Sequence, residues 1–141
     1  MAELLLKKLL LLRARIGRLR DARPSDPEAI ASDERLEAFI AFNLFLAIQD
    51  ALDLGAHLVT ERGLAIPATQ REVFEALGGA GLLSPDVVRA MGAMVSLRNR
   101  IAHSYGELDS VRMIRELGVG LDQLERFADE LLAVCSPASG T

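Results

Sequence analysis

The chain reads as an all-α bundle of four long helices plus short ones. Three observations predict this. Leu and Ala dominate an apolar half that has no Trp and a single Tyr, and both residues lose little on entering a helix. Apolar residues recur at helical rather than alternating spacing along most of the sequence. The breaks between these stretches carry cap, proline and glycine signals, and no strand alternation of useful length or internal repeat interrupts the pattern.

In the first stretch Leu4, Leu5, Leu9, Leu12, Ile16 and Leu19 repeat at helical spacing, giving a helix over about 3–22. Its start has the apolar look of a signal peptide. Lys7 and Lys8 interrupt that run, and Arg13, Arg15, Arg18 and Arg20 stand where a cleavage site of small residues belongs. An amphipathic helix is the better reading. Its Lys and Arg form either a solvated face or a phosphate-contacting stripe. Residues 1–23 carry a net +5 and the remainder -9, so any contact with RNA is a local patch rather than a general basic coat.

Arg23-Pro24-Ser25-Asp26-Pro27 ends this helix, and Asp26 before Pro27 can cap a short turn. The next helix runs from near Asp33 to about Arg62. Leu36, Ile40, Leu44, Ala47, Ala51, Leu54 and Leu58 trace its apolar face, and Phe39, Phe42, Phe45 and Leu46 widen it. A helix so apolar around its girth is central, or faces a second subunit as well. Gly63 stops it. Thr69-Gln70-Arg71-Glu72 has capping-box form and opens a short helix over about 70–77, which Gly78-Gly79-Ala80-Gly81 closes. Ser84-Pro85-Asp86 then starts a helix lasting to about Ala102. Met91 and Met94 are read as its core or interface filler. The last helix covers about 109–134, with Gly118 and Gly120 expected to kink or split it, and 136–141 is a frayed tail.

The chain is expected to be one domain over 1–141, large enough for a proper core. The single Cys135 excludes an internal disulfide and fits a reducing compartment, hence the cytoplasm. No uninterrupted apolar run approaches the roughly 20 residues of a membrane span, and neither cofactor nor metal is expected.

The chemistry concentrates in Arg98-Asn99-Arg100-Ile101-Ala102-His103-Ser104-Tyr105. It supplies a permanent cation, a base of the type that titrates near neutrality, and a phenol. Five residues on an ideal helix separate Arg98 from His103 by roughly 140°. For the two to converge, the helix must break between Ala102 and Gly106. Convergence suits RNA cleavage: a neutral His takes the 2′-OH proton while Arg stabilises charge on the phosphorus, with no metal required. The same residues also read as a capping Arg, a half-buried His and a packing Tyr, and spacing alone leaves both open. Asp53 and His57 lie four apart on one helical face. They form a surface pair, a weak metal site with His103, or a device in which Asp53 positions Arg98 from the facing helix.

Arg98-Asn99-xxx-His103-x-Tyr105 resembles the signature of the HEPN superfamily, and more narrowly that of HepT-like proteins, the toxins of bacterial HepT–MntA (type VII) toxin–antitoxin pairs. Asp50-Ala51-Leu52-Asp53-Leu54-Gly55-Ala56-His57-Leu58, Ile66-Pro67-x-x-x-Arg71-Glu72-Val73-Phe74 and Gly81-Leu82-Leu83 are similar to other stretches of that family. The similarity is legible over roughly 33–134. Ser96-Leu97 stands where the family has Gly-Phe. The resemblance implies an antiparallel HEPN-like bundle that dimerises around the motif helix, and a metal-independent endoribonuclease acting on mRNA or tRNA. It implies Arg98 and His103 as catalytic residues, Asn99 and Asp53 as supporting ones, and Tyr105 as the residue to which an MntA-like nucleotidyltransferase antitoxin adds AMP. The alternative it leaves is a non-catalytic HEPN module, binding nucleotide or serving as the partner subunit of a nucleotidyltransferase.

Overall fold

A computed structural model of the chain describes residues 2–103 and 108–135. Helix α1 spans Ala2–Ala22, a 3-10 helix Pro27–Ser32, α2 Glu34–Glu61, α3 Gln70–Gly79, α4 Pro85–His103 and α5 Ser110–Cys135. Among the described residues there is no strand. Four long helices and two short ones are therefore what the composition and periodicity predict. The expected tail at 136–141 lies outside the described residues.

The starts are made by the side chains their types suggest. Asp26 accepts from the amide of Glu28 at 3.1 Å, with Pro27 opening the 3-10 helix. Asp33 accepts from Leu36 at 3.0 Å at the head of α2, and Thr69 from Glu72 at 3.2 Å at the head of α3. Such a cap contributes about 0.5–2 kcal/mol. The return bond of the capping box is displaced by one residue, because the Glu72 carboxylate receives the amide of Ala68 at 2.9 Å. At the head of α4 the Ser84 hydroxyl receives Val87 N–H at 3.3 Å. Glu130 of α5 in turn accepts both the amide and the hydroxyl of Ser84, at 2.7 and 2.8 Å. The acid thus sits at the positive end of α4 and ties α4 to α5.

Helix α2 is the centre, packed against α1, α3, α4 and α5. It buries ten residues from Ile40 to Val59. By length and composition it is the one helix among the described residues apolar enough to cross a membrane. Asn43, Gln49, Asp50 and Asp53 interrupt its apolar run, so only the average over the helix, and no continuous apolar stretch, reaches that range. Half of its most apolar stretch is buried inside the protein, as a core helix requires. The core continues through Leu5, Leu9, Leu12, Ile16 and Leu19 of α1 and the inner faces of α3, α4 and α5. Phe74 and Phe127 meet edge to face within it, at a centroid distance of 5.6 Å. Met91 and Met94 are buried filler, as expected.

One expectation is corrected. Helix α5 is unbroken through Gly118 and Gly120. A Cβ on Gly118 would stand 2.7 Å from the Arg23 guanidinium, and one on Gly120 would stand 3.2 Å from Met94 Cε. Neither glycine splits the helix: Gly120 lies against the buried Met94, and Gly118 faces the movable end of Arg23. Three of the basic residues of α1 hold acids of neighbouring helices. Arg13 pairs with Asp129, Arg20 with Asp122 and Glu125 at 2.9 and 2.7 Å, and Arg15 with Asp50 at 2.9 Å. The register, 13 against 129 and 20 against 122, makes α1 and α5 antiparallel. The bond to Asp122, with Glu125 beside it, pushes Arg20 above the usual guanidinium range despite some loss of solvation.

Candidate functional site

The octapeptide lies at the end of α4. The buried face of α4 (Val87, Met91, Met94, Val95 and Leu97) fixes the helix's rotation. Arg98, next to Leu97, is thereby directed at α2. Its Nε and Nη2 both donate to Gln49 Oε1, at 3.0 and 2.7 Å, and its Nη1 donates to Asn99 Oδ1 at 3.2 Å. The guanidinium carbon lies 4.7 Å from the centroid of the Phe45 ring, a cation–π contact. Arg98 is thus held along one edge and across one face, half-buried, with no carboxylate neutralising it among these contacts.

Asp53 does not reach Arg98 directly. Its Oδ1 accepts from Gln49 Nε2 at 3.0 Å, so the expected positioning from the facing helix runs through an intermediary. Gln49 is the intermediary that the sequence reading missed. The available signal was spacing: Phe45, Gln49 and Asp53 stand at successive four-residue steps on one face of α2. The Asp53–His57 surface pair is not formed, since the Asp53 bond goes to Gln49. His57 is half-buried and its Nε2 is enclosed without a hydrogen-bond partner among the described residues. No group of three or more His, Cys, Asp or Glu able to hold a metal gathers among those residues.

His103 is the last residue of α4 and is exposed. Helix α4 is unbroken through His103, and the rest of the interval expected to hold the break lies outside the described residues. On an unbroken helix the two remain about 140° apart, and within one protomer they occupy different faces. Asn99 spans the gap: it receives Arg98 and lies one turn before His103 on nearly the same face. Tyr105 lies outside the described residues. Arg100 turns to the opposite side of α4 and lines a groove against α5 with Leu97, Arg112 and Glu116. Ser96, where the sequence departs from Gly-Phe, accepts a hydrogen bond from Arg71 of α3, whose aliphatic stem lies over Gly92. The departure thus supplies a link between α3 and α4.

The arrangement offers a rigid, un-neutralised cation and an exposed imidazole one turn beyond the Asn99 that touches it. That is equipment for binding phosphate and moving a proton. Comparison with known proteins agrees. The family model described as "Ribonuclease HepT-like" matches residues 12–131, so the similarity begins inside α1, well before residue 33. An mRNA nuclease HepT of Shewanella oneidensis is 24% identical over 133 residues, covering 94% of this chain and 99% of that protein. A tRNA nuclease HepT of Aphanizomenon flos-aquae is 26% identical over 109 residues, 74% of each chain. Among solved structures, a tri-AMPylated Shewanella oneidensis HEPN toxin in complex with MNT antitoxin superposes with a TM-score of 0.85 at 24% identity, covering 94% of this chain and 99% of that one.

Proposed function

The chain belongs to the ribonuclease HepT-like family, and from that premise we propose that it is the toxin of a bacterial type VII toxin–antitoxin pair, a metal-independent endoribonuclease. The observation that carries this reading is the immobilised Arg98: stacked on Phe45, bonded to Gln49, and kept positive. A cation so held is ready to stabilise the extra charge of a pentacoordinate phosphorus without reorganising during the reaction. His103, in its neutral form, takes the proton of a ribose 2′-OH. The 2′ oxygen then attacks the adjacent phosphorus and the 5′ oxygen of the next nucleotide leaves.

Arg98 and His103 occupy different faces of α4, so the reaction calls for two copies. In a homodimer built around the motif helix, each cleft draws on both copies of the octapeptide. Phe39 and Phe42, 43% and 62% exposed on α2, supply apolar surface for that contact. RNA is the substrate; the two relatives above are named for mRNA and for tRNA respectively, and either class fits a site built on phosphate. Tyr105, two residues beyond His103, is the acceptor of AMP from an MntA-like nucleotidyltransferase antitoxin. Several nucleotides on that phenol fill the cleft and repel RNA. The tri-AMPylated state of the relative solved with its antitoxin supports this. We read the chain as one domain over 1–141, acting in the cytoplasm where its substrate is.

The test is cleavage of a single-stranded RNA by purified protein in EDTA. Wild type cuts; His103→Ala, with its fold intact by circular dichroism, does not. Undiminished cutting by that variant ends the reading. The separation of Arg98 from His103 favours one alternative, a non-catalytic HEPN subunit that presents Tyr105 and contacts phosphate without turnover. Tight binding to the nucleotidyltransferase with no RNA cleavage would select it.

A further inference from the structure

We infer that Gln49 is the positioning residue of the phosphate-binding arginine, with Asp53 setting which way round its amide lies. Gln49 presents one oxygen to two N–H groups of Arg98 and its nitrogen to Asp53. A glutamine amide has two orientations of nearly equal shape, and reversal would put an NH2 group against a guanidinium, donor against donor. An ionised carboxylate only accepts. Asp53, four residues on along α2, therefore admits a single orientation, with the oxygen toward Arg98.

The arrangement also determines which part of Arg98 faces substrate. Nε and Nη2 define one side edge of the guanidinium, and Gln49 occupies it. Asn99 takes one hydrogen of Nη1. Of the five N–H groups of an arginine, these contacts use three. Among the described residues, one N–H on each terminal nitrogen is left without a partner. With Asn99 on the Nη1 hydrogen that faces Cδ, that pair is the fork geometry which matches two oxygens of a phosphate.

The choice of an amide has a further consequence. A glutamate at position 49 would hold the same edge but place a negative charge beside the cation and in the path of an incoming phosphate. Gln49 holds Arg98 without neutralising it, and the charged acceptor is kept one helical turn further back.

This inference rests on the nuclease reading, and the experiment separates the two. RNA cleavage is measured for the wild-type chain, His103→Ala, Gln49→Met and Gln49→Glu. The Arg98 Nε–H signal of the 15N-labelled proteins is followed alongside, assigned by its loss in Arg98→Lys. Gln49→Met keeps the shape but removes the acceptor. Its kcat should fall about 100-fold, the cost of slight misplacement of a catalytic group, with the melting temperature unmoved. Gln49→Glu restores the acceptor, so kcat recovers toward wild type while KM rises. The Nε–H signal is protected from exchange in wild type and in Gln49→Glu, and lost in Gln49→Met. Wild-type kcat in Gln49→Met, beside a dead His103→Ala, overturns the positioning role. If the wild type leaves RNA intact, the nuclease reading fails, and the Nε–H signal still decides: persistence of its protection in Gln49→Met overturns the inference.

Discussion

Arg15 Nε donates to Asp50 Oδ2 at 2.9 Å, joining α1 to α2 with both side chains mostly withdrawn from water, at 19% and 25% exposure. Asp50 adjoins Gln49, so this pair also steadies the turn of α2 that holds Arg98. A charge-assisted hydrogen bond in such surroundings contributes about 1.5–3 kcal/mol, and Asp50→Ala should lower the free energy of unfolding in urea by that much. Arg13→Ala and Arg20→Ala remove pairs whose acids are 44–68% exposed and should each cost less than about 1 kcal/mol. Equal losses for all three would contradict the ranking.

Two glycine substitutions should shift stability in opposite directions. A Cβ on Gly78 would stand 2.6 Å from Val88 Cγ2, and a β-branched side chain has little freedom to turn away. Overpacking of this kind costs about 1–3 kcal/mol, so Gly78→Ala is expected to destabilise. At Gly118 the nearest atoms are the mobile end of the exposed Arg23, which can swing aside. Ala gains up to about 1 kcal/mol over Gly inside a helix, so Gly118→Ala should raise the melting temperature. Calorimetry of both variants checks the pair of signs.

The same glycines show where reading from sequence stops. Asp33, Thr69 and Ser84 were legible as helix starts because a cap is a bond between near neighbours in the chain, and the structure makes each one. Gly118 and Gly120 were read as a kink or split, and α5 runs on through both because its packing partners, Met94 over Gly120 among them, come from far along the chain. Gln49 was invisible for the same reason, since its partner Arg98 lies 49 residues away and an amide carries no chemical flag of its own. Arg98, Asn99 and His103 stood out because they fall within one short stretch of sequence. Their spatial relationship did not, since it depends on where α4 ends, and α4 continues through His103.

Cys135 offers a pH-dependent check on the end of α5. Burial, with the Glu61 carboxylate nearby, pushes its thiol above the ordinary value, and Arg62 offsets only part of this. The thiolate is the reactive form, so at a given pH the folded chain holds less of it than the unfolded chain. Iodoacetamide should label native Cys135 slowly, with the midpoint of the pH–rate curve displaced upward from that in denaturant. Restricted access alone would lower the rate without moving the midpoint, so an unmoved midpoint would refute the environment described.

Modification of the tyrosine is read by mass. Co-expression with a cognate nucleotidyltransferase should add mass in units of AMP to the wild-type chain and none to Tyr105→Phe. Treated wild-type protein should then lose its activity on RNA, whereas Tyr105→Phe stays active beside the antitoxin. Unchanged wild-type mass would remove the antitoxin half of the proposal and leave the nuclease half standing.

Phe39 and Phe42 lie three residues apart on α2 and are well exposed, and the next aromatic on that side, Phe45, carries Arg98. Burying such a side chain contributes about 1.5–3 kcal/mol, enough for two of them in each copy to matter to an interface. Phe42→Asp places a charge there and should convert the protein to a monomer in sedimentation velocity at micromolar concentration. Because Arg98 and His103 occupy different faces of one α4, that monomer should also lose RNA cleavage. Leu10→Asp, at an equally exposed apolar position on α1, should leave both properties alone. A monomeric Phe42→Asp that still cuts RNA at the wild-type rate would mean that one chain completes the site by itself, and the dimer cleft would have to be abandoned.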